Sequence, residues 1–238
     1  MKQSLVQSLV PIRVSGIEIA VHEAMHAATL IYKTIDENLR SYKLLNKIFD
    51  WILWEVTIVE DDAEESVGCF RHRSWDGYTD ESDISCCLSG FLGSYIMTGY
   101  RKEKENDIKA YIRKSSYLLK FVIDYNFRDR GEIRHFYKIW SSEKDYLRAY
   151  ELSDKNSDKL LKLMRDIVEL IDISDAFMDM VVEITNDLVE QHTLDKAYLL
   201  SIANKYKERI ILESFMRQNI TCLSIDKIGR VNYNYLRV

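Results

Sequence analysis

Apolar residues recur at helical spacing along most of this chain. The clearest run follows Ser15, which can cap a helix, and Glu18 lies in the first turn, where the helix dipole favours an anion. The run then carries a broad apolar stripe formed by Ile17, Ala20, Val21, Ala24, Ala27, Ala28 and Ile31. A stripe this broad is typical of a buried helix. The pattern therefore predicts a buried helix over about residues 15–33.

Further helices are predicted after this one. Apolar spacing indicates them at 35–54, from about 107 onward, 160–170, 176–188 and near 198–203. The charged residues 153–159 predict a solvated linker. The chain has one proline and eight glycines, which favours a largely helical fold because both residue types interrupt helices.

Four short segments have the composition of strands instead. Residues 54–59 and 67–70 are β-rich and are joined by an acidic turn, so they predict a small β-hairpin. Residues 220–225 and 230–235, joined through Gly229, predict a C-terminal β-hairpin. The predicted fold class is α+β and mainly α-helical. We expect one domain over residues 1–205, followed by a C-terminal extension over residues 206–238.

Composition excludes several classes of protein. The net charge of −5 leaves no broad basic surface for nucleic acid. No apolar run approaches the 18 or so residues that cross a bilayer, so no membrane span is predicted. The four cysteines show no C-x-x-C spacing, which favours reduced thiols and a cytoplasmic location.

The first helix carries an H-E-x-x-H motif, formed by His22, Glu23 and His26. Residues four apart lie on one face of a helix, so the two imidazoles can bind one ion, most plausibly Zn²⁺. Glu23 lies one position round the helix, where its carboxylate can act as a general base. Such a metal would also remove the cost of burying polar groups on an apolar helix.

Two questions stay open at this point. The motif is also compatible with a buried helix that carries two hydrogen-bonded histidines and no metal. A catalytic zinc site also needs a third protein ligand. The candidates are acidic residues further along the chain, namely Asp83, Glu103, Glu105 and Asp107. Of the other histidines, His72 is predicted to be a solvated loop residue, and His192 to cap a helix or face solvent.

Several segments together resemble the peptidase M41 family, the zinc protease domain of FtsH-type AAA proteases. Their order and separations are similar to that family's pattern over roughly residues 15–200. The segments are His22-Glu23-Ala24-Met25-His26-Ala27, Val56-Thr57-Ile58, Gly68, Leu88 to Gly99 with Gly90 and Gly99 at the family's separation, Glu105-Asn106-Asp107-Ile108, and Leu188 to Leu194.

The resemblance implies a zincin-like helical metallopeptidase domain with zinc as cofactor. It implies that His22, His26 and Asp107 are the zinc ligands and that Glu23 is the catalytic base. Two departures stand out, because Met25 replaces a glycine of the family pattern and Ser94 replaces a glutamate. These departures bear on substrate range and efficiency.

The function expected from the sequence is a zinc-dependent metalloendopeptidase that cuts unfolded or exposed protein segments. The chain has no G-x-x-x-x-G-K-[ST] loop, so activity is expected to be ATP-independent in this chain. A delivery partner or a homo-oligomer is compatible with that activity. The rivals are a non-catalytic or regulatory zinc protein that acts by binding a partner, and a purely structural helical protein.

Overall fold

The structure, a computed structural model, describes residues 16–39, 44–59, 68–73, 80–97, 100, 107–130 and 143–222. Within these ranges the chain forms eight helices and three short strands. The helices are α1 (Gly16–Glu37), α2 (Leu45–Ile52), α3 (Asp80–Met97), α4 (Ile108–Arg130), α5 (Glu143–Leu152), α6 (Ser157–Ile173), α7 (Asp175–Gln191) and α8 (Lys196–Cys222). The strands are β1 (Leu53–Thr57), β2 (Cys69–His72) and β3 (Thr193–Leu194).

Helix α1 lies at the centre of the fold. Its residues from Ala20 to Tyr32 are all buried except His22, because the apolar stripe covers most of the helix circumference. Helices α3 and α7 make its most extensive contacts, while α5 and α6 pack on α3. The H-E-x-x-H motif is therefore held in the core.

The three strands form one antiparallel sheet in the order β2-β1-β3. Val56 of β1 lies opposite Phe70 of β2 and opposite Leu194 of β3. The β1–β2 pairing confirms that the two predicted strands pair with each other. The acidic turn that was predicted to join them lies outside the described residues. Strand β3 has two residues and was not predicted, because so short a segment has no periodicity that could be recognised.

Polar caps set several helix ends. The side chain of Asn156 accepts a hydrogen bond from the Lys159 backbone N–H at the start of α6, and Ser174 does the same for Phe177 in α7.

The break between α5 and α6 is shorter than the predicted linker over 153–159. Two left-handed residues, Asp154 and Lys155, form the turn.

Other helix predictions also need correction. The helix predicted over 35–54 is two elements, because α1 extends to Glu37 and α2 ends at Ile52, where β1 begins. The predicted domain boundary at residue 205 falls inside α8, which continues to Cys222. Ile220 is therefore helical, where the C-terminal hairpin was expected to begin. The remainder of that hairpin prediction, from residue 223, lies outside the described residues.

The described helices include none that is both long enough and apolar enough to cross a membrane.

Replacing His192 with glycine should stabilise the fold. His192 ends α7 with φ = 66°, and its side chain is exposed. A left-handed backbone costs a residue with a Cβ more than it costs glycine, so we expect a gain of about 0.5–1 kcal/mol. Thermal unfolding measures the gain, with His192→Ala as the control that keeps a Cβ. A lower melting temperature for His192→Gly than for His192→Ala would contradict this expectation.

Candidate metal centre

The two histidines of the motif meet at one point. Helical spacing brings His22 Nε2 to 3.1 Å from His26 Nε2, and the two rings lie edge to face. The side chain of His26 is 8% exposed and that of His22 is 15% exposed. Two imidazole nitrogens are therefore aimed at the same largely buried point.

A carboxylate from a distant helix reaches the same point. Asp145 lies in the first turn of α5, and its Oδ2 is 3.0 Å from His22 Nε2 and 3.3 Å from His26 Nε2. Helix α5 is fixed on α3 by the buried Tyr146, whose ring lies 5.3 Å from that of Phe91. The core thus positions Asp145 beside the histidines.

The three donor atoms fit a tetrahedral cation. Bonds of about 2.0–2.1 Å to a tetrahedral zinc place neighbouring ligand atoms about 3.3–3.4 Å apart. The triangle formed by His22 Nε2, His26 Nε2 and Asp145 Oδ2 has edges of 3.1, 3.0 and 3.3 Å. Three such acceptors cannot face one another unless a proton or a cation lies between them. The arrangement could hold a metal ion, as could the closely spaced group His22, Glu23 and His26.

Asp107, the ligand inferred from the family resemblance, has a different position. It is exposed, and its Oδ1 accepts a hydrogen bond of 3.0 Å from the Ala110 backbone N–H at the start of α4. That is an ordinary helix cap. Asp145, and not Asp107, is the carboxylate that lies beside the two imidazoles. Of the other candidates, Asp83 lies in α3, and Glu103 and Glu105 lie outside the described residues.

Asp145 was missed because its local sequence carries little signal. It is one of 38 acidic residues, and acidic residues are common in the first turn of a helix. The available hint was its place just before Tyr146 and Ala149, which are buried at helical spacing. That pattern indicates that the first turn of α5 is close to the core, although it does not indicate a metal.

Glu23 lies beside the two histidines and is 3% exposed. Its Oε1 is 3.8 Å from His22 Nε2, and its Oε2 is buried with no hydrogen-bond partner among the described residues. Gly68 permits this position, because a Cβ there would lie 2.8 Å from Glu23 Oε1. Burial raises the pKa of Glu23, and the nearby histidines offset that rise only in part.

Helix α3 supports the histidines through three positions spaced four residues apart. The Cys86 carbonyl accepts a hydrogen bond of 2.7 Å from His26 Nδ1, and Ser94 Oγ lies 2.8 Å from His22 Nδ1. Between them, Gly90 leaves room for the His26 ring, since a Cβ there would lie 2.1 Å from His26 Nε2. Because a carbonyl only accepts, His26 Nδ1 carries the hydrogen, and in the neutral ring Nε2 is free to bind a cation.

Asp145 and His26 carry opposite shifts in pKa. Burial alone would lower the pKa of His26, but the adjacent Asp145 carboxylate raises it well above its usual value. Burial alone would likewise raise the pKa of Asp145, but His26 and His22 lower it strongly. Asp145 and His26 thus each favour the charged form of the other.

The predictions for His72 and His192 have different outcomes. His72 was predicted to be a solvated loop residue, and this is wrong, because it lies in β2, stacks on Phe70 and is partly buried near Cys86. His192 was predicted to cap a helix or face solvent, and it does both.

Met25, which replaces a glycine of the M41 pattern, is accommodated by its neighbour. It is fully buried against α3, where Gly93 leaves space for it. A Cβ at Gly93 would lie 3.1 Å from Met25 Cγ and 3.4 Å from the Cα of His22. The absence of a side chain at Gly93 thus lets α1 and α3 approach closely beside the histidines.

No protein-family model, curated protein or solved structure matches this chain at a significant level.

Proposed function

We propose that this chain is a zinc-dependent metalloendopeptidase of the M41-like, zincin-like kind. The observation that carries the proposal is the convergence of His22, His26 and Asp145, whose donor atoms lie at three corners of a zinc-sized tetrahedron, with Glu23 beside them. His22, His26 and Asp145 would hold the zinc, which would supply an activated water molecule and would polarise a substrate carbonyl.

In this proposal Glu23 transfers the proton. It takes a proton from the attacking water as the carbon–oxygen bond forms, and it delivers that proton to the amine nitrogen as the carbon–nitrogen bond breaks. Burial raises the pKa of Glu23 above its usual value. A carboxylate in that environment is better matched to accepting and then returning a proton near neutral pH.

The proposed substrate is an unfolded or exposed protein segment, cut without ATP by this chain. A separate delivery partner or a homo-oligomer would be compatible with such an activity. Cys69, Cys86 and Cys87 form no disulfide within the part of the chain that the structure describes, which fits the proposed location in a reducing compartment such as the cytoplasm.

The second candidate is a non-catalytic or regulatory zinc protein that acts through a partner. The observation that favours it is the 3% exposure of Glu23, since so deeply buried a base has little access to a bulky substrate. The two candidates agree on zinc and differ on peptide hydrolysis.

Replacing Glu23 with glutamine distinguishes these candidates. The amide keeps the size of the side chain but cannot act as a base, so we expect about one zinc per chain and at least a hundred-fold loss of activity. Elemental analysis measures the zinc, and cleavage of a fluorescent unfolded protein measures the activity.

Glu18→Gln, five residues earlier on α1, is the matched control and should retain activity. Hydrolysis that survives in Glu23→Gln would contradict the role of Glu23. Zinc binding by a wild-type protein that hydrolyses no unfolded substrate would favour the regulatory candidate. Absence of zinc from the wild type, even after zinc is supplied, would contradict both.

A further inference from the structure

Ser94 contacts His22 on the side of the ring opposite Asp145. Its Oγ lies 2.8 Å from His22 Nδ1, while His22 Nε2 points at His26 and Asp145. The contact joins residues 72 positions apart in sequence, so it depends on the packing of α3 against α1. Close approach at Gly93, next to Ser94, brings the two helix backbones together at this level.

The two ring contacts from α3 differ in chemistry. The Cys86 carbonyl can only accept, so it fixes the hydrogen of His26 on Nδ1. The Ser94 hydroxyl can accept or donate. Only when it accepts from His22 Nδ1 is the Nε2 of a neutral His22 free to bind a cation. The tautomer of His22 is therefore coupled to whether the Ser94 hydroxyl donates or accepts in this contact.

We propose that Ser94 is a positioning residue that accepts a hydrogen bond from His22 Nδ1 and holds the His22 ring with Nε2 aimed at the metal position. This inference rests on the proposed function for its metal, although the hydrogen bond itself needs none. Partners of this kind usually change metal affinity by about 10–100-fold when they are removed.

A hydroxyl also suits the charge of this site. Two carboxylates, Asp145 and Glu23, already lie within 4 Å of His22 Nε2. A third carboxylate at position 94 would add negative charge to a largely buried cluster, and each added charge there is costly unless it is paired. The neutral Ser94 orients the ring without that cost. Because it strengthens Nε2 as a ligand less than a carboxylate would, we expect the effect of its removal to be about ten-fold.

The test compares Ser94→Ala, which removes the hydroxyl, with Ser94→Thr, which keeps it. The first measurement is zinc affinity by competition with a coloured chelator. The second is the NMR signal of the His22 ring in the metal-free protein, assigned by its loss in His22→Ala, which reports ring order. We expect Ser94→Ala to bind zinc about ten-fold more weakly and to give a broadened His22 ring signal. Ser94→Thr should stay close to the wild type in both.

Ser85→Ala is the matched control. Ser85 lies in the same helix, and its hydroxyl is buried with no hydrogen-bond partner among the described residues. Ser85→Ala should leave zinc affinity and the His22 ring signal unchanged. A general destabilisation of α3 would instead change both quantities in Ser85→Ala as well as in Ser94→Ala.

The outcomes separate this inference from the proposed function. A His22 signal that Ser94→Ala leaves unchanged would overturn the positioning role, whether or not the wild type binds zinc. Wild-type zinc affinity in Ser94→Ala would overturn it as well. A wild type without zinc, whose His22 ring becomes mobile in Ser94→Ala alone, would overturn the proposed function and leave the positioning role supported.

Discussion

Replacing Asp145 with alanine should abolish stoichiometric zinc binding, and replacing Asp107 with alanine should leave about one zinc per chain. Asp145 Oδ2 lies 3.0 and 3.3 Å from the two imidazole nitrogens, whereas the Asp107 carboxylate caps its own helix. Loss of one ligand of three should weaken zinc binding by more than about a hundred-fold. This exceeds the loss expected for a residue such as Ser94, which contacts a ligand and not the metal. Elemental analysis and chelator competition on both variants measure the difference.

Asp145→Asn gives a control of the same size. It removes the negative charge and keeps the packing of the first turn of α5, so zinc loss in this variant as well would exclude a purely steric cause. Circular dichroism confirms that each variant is folded. Zinc that survives in Asp145→Ala and is lost in Asp107→Ala would show that the ligand inferred from the family resemblance is the correct one.

Replacing Gly90 with alanine should disrupt the site by displacing the His26 ring. The added Cβ would lie 2.1 Å from His26 Nε2, and the ring cannot easily move, because its Nδ1 is hydrogen-bonded to the Cys86 carbonyl and α1 is packed on most of its surface. Overpacking of this kind costs about 1–3 kcal/mol, or several degrees in melting temperature. Zinc affinity should fall with it. Thermal unfolding and chelator competition measure the two effects.

Two controls make the interpretation specific. Gly16→Ala adds a methyl group to α1 at a position with nothing within 4 Å of the new Cβ, so it should not destabilise the protein. In a protein that already carries His26→Ala the ring is gone, so Gly90→Ala should cost much less there than in the wild type. Equal costs in the two backgrounds would show that the clash with His26 is not the cause.

Much of the fold could be predicted from periodicity. The buried helix α1, the paired strands β1 and β2, and the amphipathic helices α6 and α7 each repeat a pattern over several residues. The short strand β3 could not be predicted, because its place in the sheet is set by pairing with β1 across a long stretch of sequence.

The candidate site likewise has a part that could be predicted from the sequence and a part that could not. His22, Glu23 and His26 are linked by spacing within one helix, so sequence alone brings them together. The position of Asp145 depends on the packing of α5 against α3. A tertiary contact of that kind produces no characteristic residue spacing in the sequence. The family resemblance of residues 105–108 implied Asp107 as the ligand instead, and its carboxylate accepts a hydrogen bond from the Ala110 backbone N–H at the start of α4.

The position of Asp145 also bears on how the chain folds. It is separated from the two histidines by about 120 residues, so a cation bound by all three would close a loop of that length. In the chain-entropy description of disulfides, a crosslink over a comparable span raises the free energy of the unfolded chain by about 4–5 kcal/mol. In the proposed holoprotein the ion would thus fasten α5 to α1 as well as serve catalysis, and a chelator would act on folding stability and on activity together.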